Sequence, residues 1–168
     1  MVIDRTLSGP EVLVALINSR NPGKNLTVDQ VTFGTPTPIQ DHPSEENTSI
    51  LVYPVTGKGY GGDPEEFYYS RMIGNQVKQN PPAFIVIENG EDGVSIRNKV
   101  AVAFNVNPDE MLISDAMLTD IADSQYRPSG QGTTTCVLSG KPGSLLYLDF
   151  NSGYQLVDLV TPEYPGAQ

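Results

Sequence analysis

Apolar positions recur along this chain with two periods, one typical of helices and one typical of strands. The helical period appears first, and it predicts a helix with one buried face made by Val12, Leu13, Leu16 and Ile17. Ser8 and Glu11 have the spacing of a capping box, and Pro10 lies in the first turn, where its missing N–H is not needed. The Asn-Pro-Gly run at 21–23 predicts the end of this helix.

Strand-like patterns follow. Residues 28–33 are predicted to form a strand with Val31 and Phe33 on one face. Residues 34–47 contain three prolines and are expected to be a long exposed loop. Strands are then predicted at 50–53 and 66–72, joined by a glycine-rich turn. The continuous apolar run 83–87 predicts a central strand that is buried on both faces.

The second half of the chain has a similar order of patterns. A helix is predicted from about residue 94 to 104, with a buried face made by Ile96, Val100, Ala103 and Phe104. A strand-like piece at 105–113, a polar loop at 120–132 and a strand at 133–138 follow. Residues 145–150 and 154–160 are predicted to pair as a hairpin around Gly153, and the tail from 161 is extended.

Two matches relate the halves. NLTVDQVTF at 25–33 aligns without a gap on NVNPDEMLI at 105–113, and TGK at 56–58 falls over SGK at 139–141. Repetition of a supersecondary unit is typical of a scaffold built by duplication. We therefore predict an α+β fold of two pseudo-repeats, each a helix plus antiparallel strands. The first repeat spans residues 1–90, and the diverged second repeat spans 91–168 and carries the extended tail.

Composition and charge argue against several classes of protein. The chain has 168 residues, 38% of them hydrophobic, and a net charge of -10. This charge would repel a phosphate backbone, so nucleic acid is not an expected partner. No apolar run approaches the roughly 20 residues that cross a bilayer, and the amino end lacks the pattern of a secretory signal. Cys136 is alone, which excludes an internal disulfide and fits a reducing cytoplasm.

Candidate chemistry is sparse. The glycine-rich runs 57–62 and 140–144 lack P-loop spacing and are interpreted as turns. Because His42 and Cys136 are the only His and Cys, we expect neither a transition-metal site nor nucleophilic catalysis. The sequence predicts a protein that is not an enzyme and has no cofactor. An all-oxygen calcium site stays open at two acidic segments, Asp41 to Glu46 and Glu88 to Asp92.

Tyrosines are the candidate interface residues. A tyrosine offers a large rigid ring and a hydroxyl that tolerates water, which suits protein interfaces. The prolines of the tail stiffen it for docking on a neighbouring subunit. The predicted interface residues are Tyr60, Tyr68, Tyr69, Tyr154, Tyr164, Pro162 and Pro165.

The first half contains a series of short motifs. They are a helix end at Ile17-Asn18, then Asn21-Pro22-Gly23, Leu26-Thr27, Val31-Thr32-Phe33-Gly34-Thr35-Pro36, Asn47-Thr48-Ser49, Gly57-x-Gly59-Tyr60-x-Gly62 and Tyr69-Ser70-Arg71. Together they resemble a module found in virion proteins of large tailed bacteriophages. The resemblance covers roughly residues 1–75, and the second half matches only as a diverged copy.

This resemblance implies a structural component of the particle, assembled in the bacterial cytoplasm, that contacts other virion proteins and copies of itself. Tail, neck or baseplate is the first expected location, and head (capsid) decoration is the second. The alternative from a different class is a carbohydrate- or calcium-binding module.

Overall fold

The computed structural model describes residues 4–72, 85–86, 91–113, 133–148 and 155–160. It is an α+β fold, as predicted. Two 3₁₀ helices, Val28–Gln30 and Pro108–Glu110, each precede a short strand. The helices and strands are α1 Gly9–Arg20, β1 Val31–Phe33, β2 Thr37–Pro38, β3 Thr48–Pro54, β4 Glu65–Tyr69, β5 Ile85–Val86, α2 Gly93–Phe104, β6 Met111–Ile113, β7 Thr133–Gly140 and β8 Gln155–Val160.

Helix α1 begins and ends where its sequence signals predict. Ser8 and Glu11 form the capping box, and Asn21 is the C-cap. The predicted buried face is confirmed, and it is wider than expected because Val14 is buried as well as Val12 and Leu13. Successive helical side chains point about 100° apart, so three buried residues in a row need packing partners on more than one side of the helix. The remaining face, which carries Ala15 and Ser19, is exposed.

Three apolar clusters meet around α1. Val12 packs in the cluster that contains Ile96 and Val100 of α2. Leu13 packs with Ile50 and Tyr69 of the first sheet, and Val14 belongs to a third cluster with Leu26 and Val31. Helix α1 thus contributes to the cores of both halves.

The first sheet is built around β3. Strands β1 and β2 pair antiparallel with one side of β3, and β4 pairs antiparallel with the other. Val31 is buried and Phe33 is half-buried on the same face, as predicted. Residues 28–30 were expected to be part of this strand, but Thr27 and Gln30 cap a 3₁₀ turn there instead. The proline-rich loop contains only the two-residue strand β2, at the edge of the sheet.

The second sheet has the strand order β5-β8-β7-β6. Strands β6 and β8 are antiparallel to β7, and β5 is parallel to β8. The predicted central strand at 83–87 is therefore wrong, since β5 ends this order and Val86 is 42% exposed. Strand β5 precedes residue 91, yet it pairs within the sheet of the second half.

The predicted hairpin between 145–150 and 154–160 is also wrong. Strand β7 pairs with β8 along 155–160, and β5 pairs with the other edge at 159–160. Residues 146–148 pair instead with Met72, three residues after β4, since the Met72 N–H donates to Leu146 O (2.8 Å) and the Leu148 N–H donates to Met72 O (3.0 Å). The segment therefore contacts the chain that leaves the first sheet.

Helix α2 confirms the second predicted helix. Its buried residues are Ile96, Val100, Ala101 and Phe104, whereas Ala103 is half-buried. Asp92 caps its start by accepting a hydrogen bond from the Ser95 N–H, and Asn105 ends it in the left-handed region at φ 52°. None of the helices in the described ranges is long and apolar enough to span a membrane.

The two halves share a succession of elements. Each contains a 12-residue helix, a 3₁₀ turn and then three antiparallel strands in the orders β1-β3-β4 and β6-β7-β8. Equivalent backbone hydrogen bonds close the turn after the central strand. The Val55 N–H donates to Gln30 O (2.8 Å), and the Lys141 N–H donates to Glu110 O (3.1 Å).

One predicted match between the halves is misplaced by three residues. Gly57 and Gly143 both adopt left-handed φ angles, 81° and 73°, in the turn after the central strand. Gly140, which the sequence aligns with Gly57, is instead the last residue of β7. The short Gly-Lys pair thus occurs at a turn in one half and at a strand end in the other. The predictions for 120–132, Gly153 and the tail lie outside the described residues.

Candidate functional site

The structure separates the tyrosines that were predicted to form an interface. Tyr69 is 2% exposed and packs in the core, so its ring is not available to a partner. Tyr60 is half-buried and packs against the cluster that includes Phe67. Tyr68 is half-buried and, by strand alternation, points to the face opposite Phe67. Tyr154, Tyr164, Pro162 and Pro165 lie outside the described residues.

Tyr68 belongs to a polar surface cluster that fixes the proline-rich loop to β4. The His42 ring stacks on the Tyr68 ring with centroids 4.4 Å apart. Arg20, the last residue of α1, donates to Glu46 Oε1 (2.6 Å) and to Tyr68 O (2.7 Å). We call Arg20, His42, Ser44, Glu46 and Tyr68 the His42–Tyr68 cluster. It covers part of the outer edge of β4 with charged side chains, which discourages pairing with another strand.

Within this cluster, Ser44, His42 and Glu46 resemble a catalytic triad in composition but not in geometry. The Ser44 hydroxyl lies 2.6 Å from His42 Nδ1 and donates to Glu46, whose Oε2 is also 3.2 Å from the same ring nitrogen. A triad needs the nucleophile and the carboxylate on different nitrogens of the imidazole. This arrangement therefore holds a loop and does not activate Ser44.

Electrostatics keep Glu46 ionised. Burial by itself would raise the pKa of Glu46, but hydrogen bonds from Ser44 and Arg20, with the positive charge of Arg20, lower it below its usual range. On the neighbouring strand, the hydrogen bond to the Glu66 carboxylate raises the pKa of Tyr68. At neutral pH the cluster therefore contains an ion pair between Arg20 and Glu46.

Three carboxylates of the segments considered as calcium sites, those of Glu46, Glu91 and Asp92, make local contacts. Glu91 accepts from Lys99 Nζ (2.6 Å) and from the Ser95 hydroxyl (2.7 Å), and Asp92 caps α2. Across the described ranges, no three His, Cys, Asp or Glu side chains come together as metal ligands. Glu88 and Asn89 lie outside those ranges, as does the side chain of Cys136, whose backbone is in β7.

A buried arginine joins the two halves. Arg71 is 4% exposed, and its Nε donates to Thr48 Oγ1 (3.0 Å) in the first sheet. Its Nη1 donates across the junction to Ser144 O (3.0 Å) and Tyr147 O (3.2 Å). The Asn47 amide pairs with the Arg71 backbone through bonds of 2.8 and 2.9 Å. Buried charges need such partners, because the cost of desolvation is otherwise uncompensated.

Glu110 makes a second bridge. Its Oε1 accepts from the Gly9 N–H at the start of α1 (3.0 Å), and its Oε2 accepts from the Ser144 hydroxyl (2.6 Å). A Cβ atom on Gly9 would lie 2.5 Å from Glu110 Oε1 and 2.7 Å from Leu145 Cβ, so only glycine fits there. We call Gly9, Thr48, Arg71, Glu110 and Ser144 the junction network.

Sequence reasoning missed this network as a feature. Thr48 and Arg71 lie in motifs that carried the resemblance to virion proteins, but no pattern indicated that they contact each other. Glu110 aligns with Gln30 in the match between halves, which was the only available signal for it.

Two apolar surfaces remain. An open depression beside α2 exposes Val86, Val94 (57%) and Val102 (80%). A deeper cavity of about 280 Å³ lies between the end of α1 and the first sheet, and Tyr60 lines it.

The sequence matches DUF7941, described as a family of unknown function, over residues 5–150. The chain belongs to this family. No curated protein and no solved structure matches it. The DUF7941 match includes both helices and every residue of the junction network, and it ends before β8.

Proposed function

We propose that this DUF7941 member is a non-enzymatic structural component of a tailed-phage virion, placed first in the tail, neck or baseplate. The observation that supports the proposal is the structural role of the motif residues on which the resemblance rests. Arg71 bonds Thr48 of the first sheet and Ser144 of the second half, and Asn47 holds the Arg71 backbone in place. Gly57 and Gly59 shape a turn at φ 81° and 88°. Residues that hold two parts of a fold together suit a structural protein.

We further propose that the halves are copies of one unit. The 3₁₀ turn and its strand occupy 28–33 and 108–113, which are the positions of the ungapped sequence match. A side chain from the end of each turn also reaches the loop after the central strand. Gln30 Nε2 donates to Lys58 O (3.0 Å), and Glu110 accepts from Ser144. Lys58 and Ser144 are equivalent because each donates its N–H back across the same turn, to Val55 O and Lys141 O.

Two units fixed by buried polar bonds make a body suited to static assembly. Networks of satisfied buried hydrogen bonds favour one arrangement of the packed parts. The His42–Tyr68 cluster and the exposed valines of α2 are then surfaces for other virion proteins and for copies of the same chain. No step of this proposal needs a reacting group.

The experiment is mass-spectrometric quantification in particles purified by density gradient, followed by separation of heads from tails. We expect a fixed copy number per particle, retained after a high-salt wash and enriched in the tail fraction. Enrichment in heads would favour decoration of the capsid instead. Recovery only in the soluble lysate, at a time when particles are abundant, would contradict the proposal.

The competing class is tested separately with purified protein. A carbohydrate- or calcium-binding module would raise its melting temperature on addition of ligand, because binding to the folded state alone stabilises it. We expect no shift with calcium.

A further inference from the structure

The cavity in the first half has an apolar floor and an acidic rim. Its floor is formed by Ile17 of α1, Leu26, Val31 and Val52, with Phe67 of β4 at one side. Tyr60 leans against this floor and is half-buried. We call this cavity the α1–β4 groove. Its volume of about 280 Å³ is close to the lower limit of small ligand sites, so it would hold one or two side chains rather than a large cofactor.

The residue of the second half that corresponds to Tyr60 is buried. Tyr60 lies two residues after Lys58, and Leu146 lies two residues after Ser144, its counterpart. Leu146 is only 4% exposed and packs in one cluster with Ala101 of α2 and Val106. A leucine thus occupies in the second half the position that Tyr60 covers only partly in the first.

The charges around the groove have one dominant sign. Asp63, Glu65 and Glu66 line its rim and are exposed, and Lys24 is the one cation among its lining residues. Glu66 accepts a hydrogen bond from the Tyr68 hydroxyl, which leaves its charge in place. Clefts lined by one sign of charge attract ligands of the opposite sign.

We propose that the α1–β4 groove binds an extended peptide segment of a partner protein that inserts one large aliphatic side chain flanked by Lys or Arg. The apolar floor takes the side chain beside Tyr60, and the carboxylates of the rim pair with the flanking cations. The inference does not depend on where the protein acts. A groove that accepts one apolar anchor with main-chain and charged neighbours is a common mode of peptide recognition.

The test uses ¹⁵N-labelled protein and the probe peptide Ac-Ser-Lys-Leu-Lys-Ser-NH₂. We expect amide shifts confined to residues around Leu26, Tyr60 and Phe67, with a Kd on the order of 1 mM for so short a peptide. Replacing the leucine of the probe by alanine, or both lysines by glutamate, should weaken binding roughly tenfold.

Matched variants of the protein separate the rim from the overall negative charge. Asp63→Asn with Glu65→Gln should weaken binding of the probe roughly fivefold, because it removes two of the three rim carboxylates. Asp41→Asn with Glu45→Gln removes the same charge from the proline-rich loop, away from the groove, and should leave binding unchanged.

Three results would overturn the proposal. They are the absence of shifts at the groove up to about 10 mM probe, equal binding of the alanine peptide, and equal weakening by the two double variants. All substituted positions are exposed, so loss of folding does not obscure the outcome.

Discussion

Gln30 and Glu110 occupy the same place in the two halves, at the end of a 3₁₀ turn, but they stabilise different things. Gln30 accepts from the Thr27 N–H (2.9 Å) and donates to Lys58 O (3.0 Å), so its amide closes contacts within its own half. Glu110 has two acceptor oxygens and no donor, and these bind Gly9 of α1 and Ser144. The amide of Gln30 thus stabilises its own half, whereas the carboxylate of Glu110 also bonds to a helix of the other half.

The two halves also differ in how well they are packed after the turn. The first half leaves the α1–β4 groove open beside Tyr60, whereas the second half buries Leu146 and Tyr147 at the corresponding place. The buried pair lies next to the junction network, which needs dry surroundings for its polar bonds to be strong. The described residues of the second half thus bury their side chains after the turn, whereas the first half has a cavity there.

The largest expected effect comes from removing the arginine at the junction. Arg71→Leu should lower the free energy of unfolding by about 3–5 kcal/mol, because buried acceptors at Thr48, Ser144 and Tyr147 lose their donor. Urea unfolding followed by far-ultraviolet circular dichroism measures it. Arg20→Leu is the matched control. It removes an exposed ion pair with Glu46 and should cost about 1 kcal/mol or less. Equal losses of unfolding free energy in the two variants would mean that the buried bonds of Arg71 stabilise the protein no more than a surface ion pair does.

Gly9→Ala tests the close approach of α1 to the second half. The added methyl group would overlap Glu110 and Leu145, and overpacking of this kind costs about 1–3 kcal/mol. Gly61→Ala is the control, since a Cβ there meets nothing within 4 Å. Thermal unfolding should show a lower melting temperature for Gly9→Ala alone. A stabilised Gly9→Ala protein would show that the halves can move apart.

Exchanging the side chain types of Gln30 and Glu110 tests whether these two residues have different roles. Glu110→Gln should cost about 1–2 kcal/mol, because one of two acceptors facing donors is replaced by an amide N–H₂. Gln30→Glu should change the free energy of unfolding by less than about 0.5 kcal/mol. Both variants are measured by urea unfolding at one salt concentration. A larger loss for Gln30→Glu than for Glu110→Gln would mean that the contacts of Glu110 between the halves stabilise the protein less than the local contacts of Gln30.

The His42–Tyr68 cluster predicts a small dependence of stability on acid. The folded pKa of Glu46 lies below its usual value of 4.5, so its carboxylate stabilises the protein above that pH, and the contribution is lost as pH falls through the folded pKa. Glu46→Gln should cost up to about 1 kcal/mol at pH 7, and the cost should shrink as the pH falls below 4.5 and through the folded pKa. A difference that grows toward low pH would contradict the assignment.

The smallest effect at neutral pH is expected at Tyr147. Its hydroxyl is buried without a hydrogen-bond partner in the described part of the chain, so Tyr147→Phe should change the free energy of unfolding by less than about 1 kcal/mol. Burial raises the pKa of Tyr147 to about 12. The folded protein therefore loses stability as pH rises from 10 toward 12, and the phenylalanine variant should lose less. An unchanged alkaline unfolding curve would exclude this role.

The sequence alone determined most of the local elements. The capping box at Ser8, three of the four positions predicted for the buried face of α2, and the strand alternation at Val31 and Phe33 are short-range signals that were predicted correctly. Helix caps and periodicity depend on neighbours a few residues away, so one sequence suffices to find them.

Only the tertiary structure decided which surfaces meet. The placement of β5 at the end of its sheet, the burial of α1 on several sides and the burial of Tyr69 depend on packing between distant segments. Arg71 and Ser144 are 73 positions apart, and nothing local marks their contact. Burial of an arginine is unfavourable until three acceptors converge on it, and that convergence exists only after both halves have folded against each other.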